Sequence, residues 1–196
     1  MQIASKQSIA QRAVELIQPG QVVIVDGGTT TGEMMHLLPD NLACTVVTHS
    51  PGIAVALVEK PLIEVILIGG RLFKHSVVSV GSAALEYFPY QRRSVFYGRH
   101  RRSPRAGFTT GDYEEAGIKR ALAARAAETV VMASQEKLNS ASAFAIGELG
   151  AASTLIVDTT LDEALRQQQP GGCRNPLRPV IRVQAKIPTR RRDFAH

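Results

Sequence analysis

Short apolar runs rich in β-branched residues alternate along this chain with segments of helical periodicity, and this alternation restricts the possible folds more than any other feature. Runs typical of buried strands occur at 21–25, 42–48, 62–68, 129–133 and 153–157. Helices are predicted over 6–17, 32–38, 51–58, 112–126 and 161–167. Strands that alternate with helices in this way predict an α/β fold, in which a mostly parallel sheet is flanked by helices.

The bulk composition indicates one domain with a sizeable core, since 44% of the 196 residues are apolar. No apolar run approaches the roughly 18 residues of a transmembrane helix, and no signal peptide is recognisable, so we expect a cytoplasmic protein without membrane contact. The cysteines, Cys44 and Cys173, form no metal-spaced pair, which fits a reducing cytosol. The five histidines also lack metal-ligand spacing, and we expect neither a metal nor another cofactor.

The formal charge of +6 suggests a nucleic-acid partner, but the positive charge is concentrated in two blocks. Six arginines lie between Arg92 and Arg105, and seven further Lys or Arg residues lie from Arg174 to Arg192. The rest of the chain carries 10 of the 23 basic residues and 16 of the 17 acidic residues, so it is net acidic. A basic binding face is normally distributed through a fold, and the two blocks therefore require their own explanation.

The strongest local motif is the hexapeptide from Asp26 to Thr31, DGGTTT, between a predicted strand and a predicted helix. Its glycines permit a tight turn and bring backbone N–H groups close to an anion, which the N-terminus of the next helix also favours. Three threonine hydroxyls add donors, and Asp26 can accept hydrogen bonds from sugar hydroxyls. The motif suits a phosphate monoester, and the alternative is a turn with threonine N-caps.

Further candidates follow the later strands, where ligands of parallel sheets bind. The triplet Thr48-His49-Ser50 either lines the same cleft or caps the next helix. Gly69-Gly70 either lets a backbone approach a ligand or forms a simple turn. On its own, Lys119 indicates a solvated charge or a surface pair with Glu115 four residues earlier, whereas Lys137 follows a strand and is placed to face a phosphate.

Taken together, these segments resemble the C-terminal domain of the DeoR family of transcriptional repressors. The matching stretches occur in the family's order: KQSIAQRAVELIQPGQVVIVDGGTTT, TVVTHSPGIAVALVE, EVILIGGRL, VGSAAL, AGFTTGDYEEAGIKRALAARAAETVVMASQEK and STLIVD. The most specific of them are GFTTGDYEEAGIKRA and DGGTTT. Members are helix-turn-helix repressors of sugar-catabolic operons, whose C-terminal domain has a fold like that of ribose-5-phosphate isomerase and NagB and senses phosphorylated sugars.

The resemblance implies a non-enzymatic domain that binds a phosphorylated sugar as the effector of a regulator of sugar metabolism. By family analogy it also implies a homo-oligomer. The family usually has Asn at the position of His49. The residues implied to contact the effector or line its cleft are Asp26, Gly28, Thr29, Thr30, Thr31, Thr48, His49, Gly69, Gly70, Lys119 and Lys137.

Two departures from the family pattern bear on the expected partners. The winged helix-turn-helix that normally precedes this domain is not recognisable here, so we expect DNA contact only through that missing N-terminal domain. The arginine block at 92–105 occupies the place of a buried strand and a cleft loop in the family.

We interpret the block as an out-of-frame translation, because a one-base shift can convert 93–105 into an apolar strand followed by a glycine-rich turn. The sensor domain is then expected over 1–169, and the basic tail at 170–196 is expected to be disordered or read-through sequence. If the written residues are genuine, buried arginines are costly, and we expect 92–106 to be exposed or disordered, with one side of the cleft missing.

Two other functions compete with the sensor. A sugar-phosphate isomerase of the related fold needs a carboxylate base beside C1 and C2 of the sugar, and no acid pair is found near the arginine block. A genuine basic loop and tail predict nucleic-acid binding that is indifferent to sequence and steeply dependent on salt.

Overall fold

A parallel sheet forms the centre of the computed structural model, which describes residues 2–81, 94–98, 101–103, 107–133, 141–147, 152–157 and 180–182. The helices are α1 (Gln2–Val14), α2 (Thr29–His36), α3 (Pro51–Ala56) and α4 (Tyr113–Arg125). The strands are β1 (Val22–Val25), β2 (Cys44–Thr48), β3 (Ile63–Leu67), β4 (Arg71–Phe73), β5 (Val78–Val80), β6 (Ser94–Gly98), β7 (Arg101–Ser103), β8 (Gly107–Thr110), β9 (Glu128–Ala133), β10 (Phe144–Gly147), β11 (Thr154–Val157) and β12 (Val180–Arg182).

The central sheet has seven strands in the order β12-β11-β9-β6-β1-β2-β3. Its first six strands in the chain, β1, β2, β3, β6, β9 and β11, run parallel, and only β12 is antiparallel to its neighbour. The predicted α/β class with a mostly parallel sheet is thereby confirmed. The predicted helix at 161–167 lies outside the described residues.

Successive side chains of each strand point to opposite sides, and on the central strands both sides are covered by a core cluster. On β1, Val23 and Val25 face a cluster that includes α1, α2 and α3, whereas Ile24 faces α4. Burial on two sides explains why the strands are continuous apolar runs rather than alternating ones. Each fully buried aliphatic side chain contributes about 1.5–3 kcal/mol.

The order of the strands reverses between β1 and β6. From β1 the chain proceeds through β2 to β3 at one edge, then returns to β6 on the other side of β1 and continues to β9 and β11. Ligands of open α/β sheets bind outside the carboxyl ends of the strands at such a switch point. The turn from Asp26 to Gly28 and the first turn of α2 follow β1 and therefore lie at this crevice.

Strand β6 corrects the expectation that residues 92–106 form an exposed or disordered loop, which is wrong for 94–98. These five residues pair in parallel with β1 and β9, and Val95, Phe96 and Tyr97 are buried. The sequence SVFYG is itself apolar and contains no arginine, so it meets the needs of a central strand as written. The arginines of β7 lie in a separate antiparallel sheet with β8 and β10. The out-of-frame interpretation stays a prediction, without support from this strand.

The basic tail also contributes to the sheet. Residues Val180–Arg182 pair with β11 in antiparallel register, for example Ile181 with Leu155. For these three residues the structure differs from the predicted disorder. Among the described residues, no helix is long and apolar enough to cross a membrane.

Candidate functional site

The loop after β1 is shaped by two glycines. A Cβ on Gly27 would lie 2.4 Å from Cγ1 of Val78, so strand β5 passes too close for any side chain. Gly28 has a φ of 150°, a conformation that residues with side chains rarely adopt. The chain turns sharply here, and helix α2 begins at Thr29.

The N-terminus of α2 faces the crevice. The first backbone N–H groups of a helix have no partner within it, and the preceding Gly28 provides no side chain to cap them. Gly28 and Thr29 are exposed, whereas Thr30 and Thr31 are buried. Because the hydroxyl of Thr31 donates to the main-chain oxygen of Gly28 at 2.9 Å, it braces the turn. Exposed amides at the positive end of a helix form a surface that favours an anion.

Gly98 at the end of β6 was missed by the sequence analysis, although it follows an apolar run in the way that Asp26 follows β1. A Cβ on Gly98 would lie 3.0 Å from Cγ2 of Thr31 and 3.4 Å from its main-chain nitrogen. The end of β6 therefore packs directly against the first turn of α2, and glycine permits this approach.

Asp26 is the centre of a buried cluster of charged groups. Its Oδ1 lies 2.9 Å from Nε2 of His49, and its Oδ2 lies 3.0 Å from Nζ of Lys119. All three side chains are at most 3% exposed. Three residues that are far apart in the sequence are thus brought together at the start of the DGGTTT motif.

Helix α4 contributes the second half of this cluster. Nζ of Lys119 also lies 2.8 Å from Oε1 of Glu115, whose other oxygen accepts a hydrogen bond from Thr110. Asp112 caps the helix by accepting from the main-chain nitrogen of Glu115 at 2.8 Å. The expected pair of Glu115 and Lys119 is present, but its placement on the helix surface is wrong because α4 turns this face toward the sheet.

Tyr97 supports the cluster from β6. Its hydroxyl donates to the main-chain oxygen of Lys119 at 2.6 Å, in a buried position. Burial, and then the negative charge of Asp26, raise the pKa of Tyr97 well above its ordinary value. The phenol therefore stays neutral and fixes the backbone of α4 next to the ion pairs.

The hairpin of β4 and β5 covers the cluster. The main-chain N–H of Ser79 donates to the main-chain oxygen of His49 at 2.7 Å. The main-chain oxygen of Ser79 lies 3.0 Å from Nδ1 of the His49 ring. Ser50 precedes α3 but makes no side-chain cap, since its hydroxyl donates to the main-chain oxygen of Val77 instead. Thr48 is buried and donates to the main-chain oxygen of Val25. Two residues of this triplet, His49 and Ser50, thus bind the hairpin through hydrogen bonds.

The two other predicted segments have different outcomes. Gly69 and Gly70 are exposed and lead from β3 into the hairpin, where a Cβ on Gly70 would lie 2.8 Å from the main-chain oxygen of Val80. Their described contact is with the hairpin rather than with Asp26. Lys137 lies outside the described residues.

The arrangement is suited to binding an anion at the N-terminus of α2, beside a buried cluster of charged groups. The described residues contain no group of three His, Cys, Asp or Glu side chains that could hold a metal ion. Neither oxygen of Asp26 is available as a simple base, because one faces His49 and the other Lys119.

Two of the solved structures that this chain resembles are an isomerase and a regulator. Ribose 5-phosphate isomerase A from Methanocaldococcus jannaschii matches with a TM-score of 0.47 and 16% identity, over 68% of this chain and 53% of the isomerase. A probable sor operon regulator from Shigella flexneri matches with a TM-score of 0.45 and 10% identity, over 70% of this chain and 77% of the regulator.

Several curated relatives are transcriptional regulators. The HTH-type regulator GlpR of Haloferax volcanii is 34% identical, covering 85% of this chain and 65% of the relative. A putative aga operon repressor of Escherichia coli O157:H7 is 32% identical over 79% and 58%, and the HTH-type repressor GlcR of Bacillus subtilis is 31% identical over 81% and 61%. The chain thus spans 58–65% of the length of these relatives. The model of the DeoR C terminal sensor domain matches residues 1–159, and the chain belongs to this family.

Proposed function

We propose that this chain is the effector-binding domain of a DeoR-type regulator of sugar metabolism, and that its effector is a phosphorylated sugar. The observation that carries the proposal is the exposed, uncapped N-terminus of α2 at the switch point of the sheet, beside Gly28 and Thr29. Backbone N–H groups and the helix dipole together favour a phosphate there. The names of the relatives, which include an aga operon repressor, support a role in sugar-dependent regulation.

In this proposal the phosphate binds at the amides of Gly28, Thr29 and Thr30, and Thr31 holds the turn in shape. Asp26 and Lys119 form the charged part of the cleft floor, together with Thr48 and His49. Gly69 and Gly70 shape the cleft through the hairpin that they introduce, and contact of the effector with Lys137 remains a prediction from the family pattern.

A sensor is favoured over an isomerase by the state of the carboxylates. The isomerisation of an aldose to a ketose needs a base that can reach the sugar carbon. Asp26 is 0% exposed and engaged by two partners, and Glu115 is engaged by Lys119 and Thr110. We therefore propose that the domain binds its ligand without turnover. For the longer relatives, which include HTH-type regulators, we propose that DNA binding resides outside the part that this chain matches.

The proposal is tested by titrating the protein with a panel of pentose and hexose phosphates and their unphosphorylated parent sugars. We expect calorimetric binding and a rise in the unfolding temperature for at least one phosphate and for none of the parent sugars. Interconversion of ribose 5-phosphate and ribulose 5-phosphate by the same protein would contradict the proposed sensor function and would show that the protein is an isomerase.

The location of the phosphate is tested with Thr29→Asp. A carboxylate at the first position of α2 agrees with the helix dipole and should leave folding intact, but it repels an anion from the same amides. Binding should weaken at least about tenfold, equivalent to about 1.4 kcal/mol. Asn41→Asp makes the same change of charge at an exposed position between α2 and β2, and should bind like the parent chain. Equal affinities of the two variants would place the phosphate elsewhere.

A further inference from the structure

Strand β3 leaves one side of its backbone without a partner strand. It lies at the end of the central sheet, and in the part of the chain that the structure describes only β2 pairs with it. The main-chain N–H of Ile68 donates to the oxygen of Thr48 in β2 at 2.8 Å. Because successive residues of a strand direct their main-chain groups to alternate sides, those of Val65 and Leu67 point away from β2. The outer side of β3 therefore offers hydrogen bonds to a further strand.

The side chains along this edge are apolar on both faces of the sheet. Ile66 is 44% exposed and Leu67 is 49% exposed, and as neighbours in a strand they point to opposite faces. Leu62, which precedes the strand, is exposed as well. Apolar side chains around an open backbone edge favour its pairing with another strand.

Features that protect an edge strand from such pairing are missing in β3. Its sequence, IEVIL, has no proline and no lysine, and Glu64 is its only charged residue. Oε2 of Glu64 accepts a hydrogen bond from the hydroxyl of Thr45 at 3.0 Å, so this carboxylate lies toward β2 rather than across the open edge. Strand β12, at the other end of the sheet, has three residues, the last of which is Arg182. Of the two edges, β3 is the one suited to pairing.

The outward main-chain groups of β3 match those of a second copy in antiparallel orientation. A two-fold axis at Val65 places this residue opposite Val65 of the second copy, so that each N–H meets the oxygen of the other. The same axis places Leu67 opposite Ile63 of the second copy, and the Leu67 N–H meets the outward oxygen of Ile63.

The side chains select this register among the alternatives. With the axis at Val65, Glu64 lies opposite Ile66 of the second copy, and all five residues of β3 are paired. An axis at Glu64 would bring the two carboxylates directly opposite each other, which is destabilising. An axis at Ile66 would leave Ile63 and Glu64 without a partner within the strand of the second copy.

We infer that β3 pairs with β3 of a second copy of this chain around a two-fold axis at Val65, which joins the two central sheets into one. The paired strands run in opposite directions, so the crevices at the carboxyl ends of the two sheets lie at opposite ends of the joined sheet. The pairing uses none of the residues assigned to the effector site, and it therefore stands independently of the proposed function.

Sedimentation of the full chain over a range of concentrations tests the pairing, and the parent chain should show a monomer–dimer equilibrium. Ile66→Glu places a second carboxylate opposite Glu64 and should weaken the dimer at least about tenfold. Ile66→Lys loses the same side chain but places a cation there, and should dimerise more tightly than Ile66→Glu. Circular dichroism verifies that both variants are folded. A parent chain that stays monomeric at its highest soluble concentration, or equal dimerisation of the two variants, would overturn the inference.

Amide hydrogen exchange locates the interface within the dimer. At low concentration, where the monomer prevails, the amides of Val65 and Leu67 should exchange like those of an edge strand. Their exchange should slow as the dimer forms, because both N–H groups then donate to the second copy. Dimerisation without added protection of these two amides would place the interface elsewhere.

Cysteine cross-linking tests the register, in a chain that carries Cys173→Ser while Cys44 stays buried. Glu64 and Ile66 of the second copy form a non-hydrogen-bonded pair, whose Cα atoms lie about 4.5 Å apart, within the span of a disulfide. A mixture of Glu64→Cys and Ile66→Cys should therefore give a covalent dimer on oxidation. Either variant alone should not, because each residue lies on the order of 8 Å from its own copy. Cross-linking in a single variant, or none in the mixture, would overturn the inference.

Discussion

Tyr97 connects the sheet to the charged cluster through a single hydroxyl. The phenol donates to the main-chain oxygen of Lys119, and burial together with the charge of Asp26 raises the pKa of Tyr97 well above its ordinary value. This contact was invisible in the sequence, because it joins a strand inside the arginine block to the backbone of a distant helix. Single residues of this kind are where stability and titration are coupled.

Alkaline pH should therefore destabilise the protein through Tyr97. The folded state keeps the phenolic proton, whereas the unfolded chain releases it above about pH 10, so this contribution is fully present below that pH and is lost as pH rises further. Tyr97→Phe should cost about 1 kcal/mol at neutral pH and should make stability less steep in pH above about 10.

Chemical denaturation between neutral and alkaline pH measures both effects. Burial also raises the pKa of the Cys44 thiol, so the informative quantity is the difference between Tyr97→Phe and the parent chain. Tyr113→Phe, at an exposed ring on α4, is the matched control and should follow the parent chain. Parallel curves for all three proteins would show that Tyr97 does not titrate in this way.

At the scale of elements, the hairpin of β4 and β5 packs against the candidate site. It contacts the ends of β1 and β2 through Val78 and Ser79, and an ion pair between Arg71 and Glu114 joins it to α4. The most demanding contact is at Gly27, where the space for a side chain is taken by Val78. The seat of the hairpin thus depends on one glycine.

Gly27→Ala should lift the hairpin and destabilise the protein by about 1–3 kcal/mol, the usual cost of overpacking a core. Removing the colliding methyl groups with Val78→Ala in the same chain should recover part of this loss, so that the double variant is less destabilised than the sum of the single ones. Thermal and denaturant unfolding of the three variants give the coupling.

Gly32→Ala is the control for this experiment. Gly32 lies inside α2, and a Cβ there meets nothing within 4 Å, so alanine should be neutral or stabilise by about 0.5–1 kcal/mol. A similar loss of stability in Gly32→Ala and Gly27→Ala would contradict a specific role for the contact with Val78.

The strands and helices that could be predicted from the sequence are those with a clear hydrophobic pattern within their own residues. The runs at 21–25, 42–48 and 62–68 became parallel strands with ends within two residues of the prediction. Burial on both faces explains the continuous apolar signal of the first two runs, whereas the third is a largely exposed edge strand. The hairpin at 71–80 had no such signal, because its two strands are only three residues long. Its position is fixed by contacts with His49 and Gly27, which are distant in the sequence. The hexapeptide at 26–31 could be placed from local chemistry, whereas the burial of Lys119 could not.

At the scale of the whole molecule, β6 joins the two halves of the sheet and the two core clusters. Val95 and Tyr97 face the cluster under α4, and Phe96 faces the cluster under α1 and α2. This strand was not predicted from the sequence as written, because the six arginines between Arg92 and Arg105 suggested an exposed segment, although the five residues of β6 contain none of them. The edges of the sheet, by contrast, are β3 and β12.

Amide hydrogen exchange of the whole chain tests this role for β6. Strands hydrogen-bonded on both sides open only with the global unfolding of a domain, whereas edge strands open locally at lower free energy. We expect the amides of β1, β6 and β9 to be the most protected and to exchange with one common free energy, and those of β3 to exchange faster. If 92–106 were an exposed loop, residues 94–98 would exchange at the rate of an unstructured peptide.

Phe96→Ala, which removes a buried ring from the centre of the sheet, should lower the common free energy of exchange by about 3–5 kcal/mol and should lower it equally for the amides of β1 and β9. A loss confined to β6 would mean that the two halves of the sheet are stable independently of the strand that lies between them.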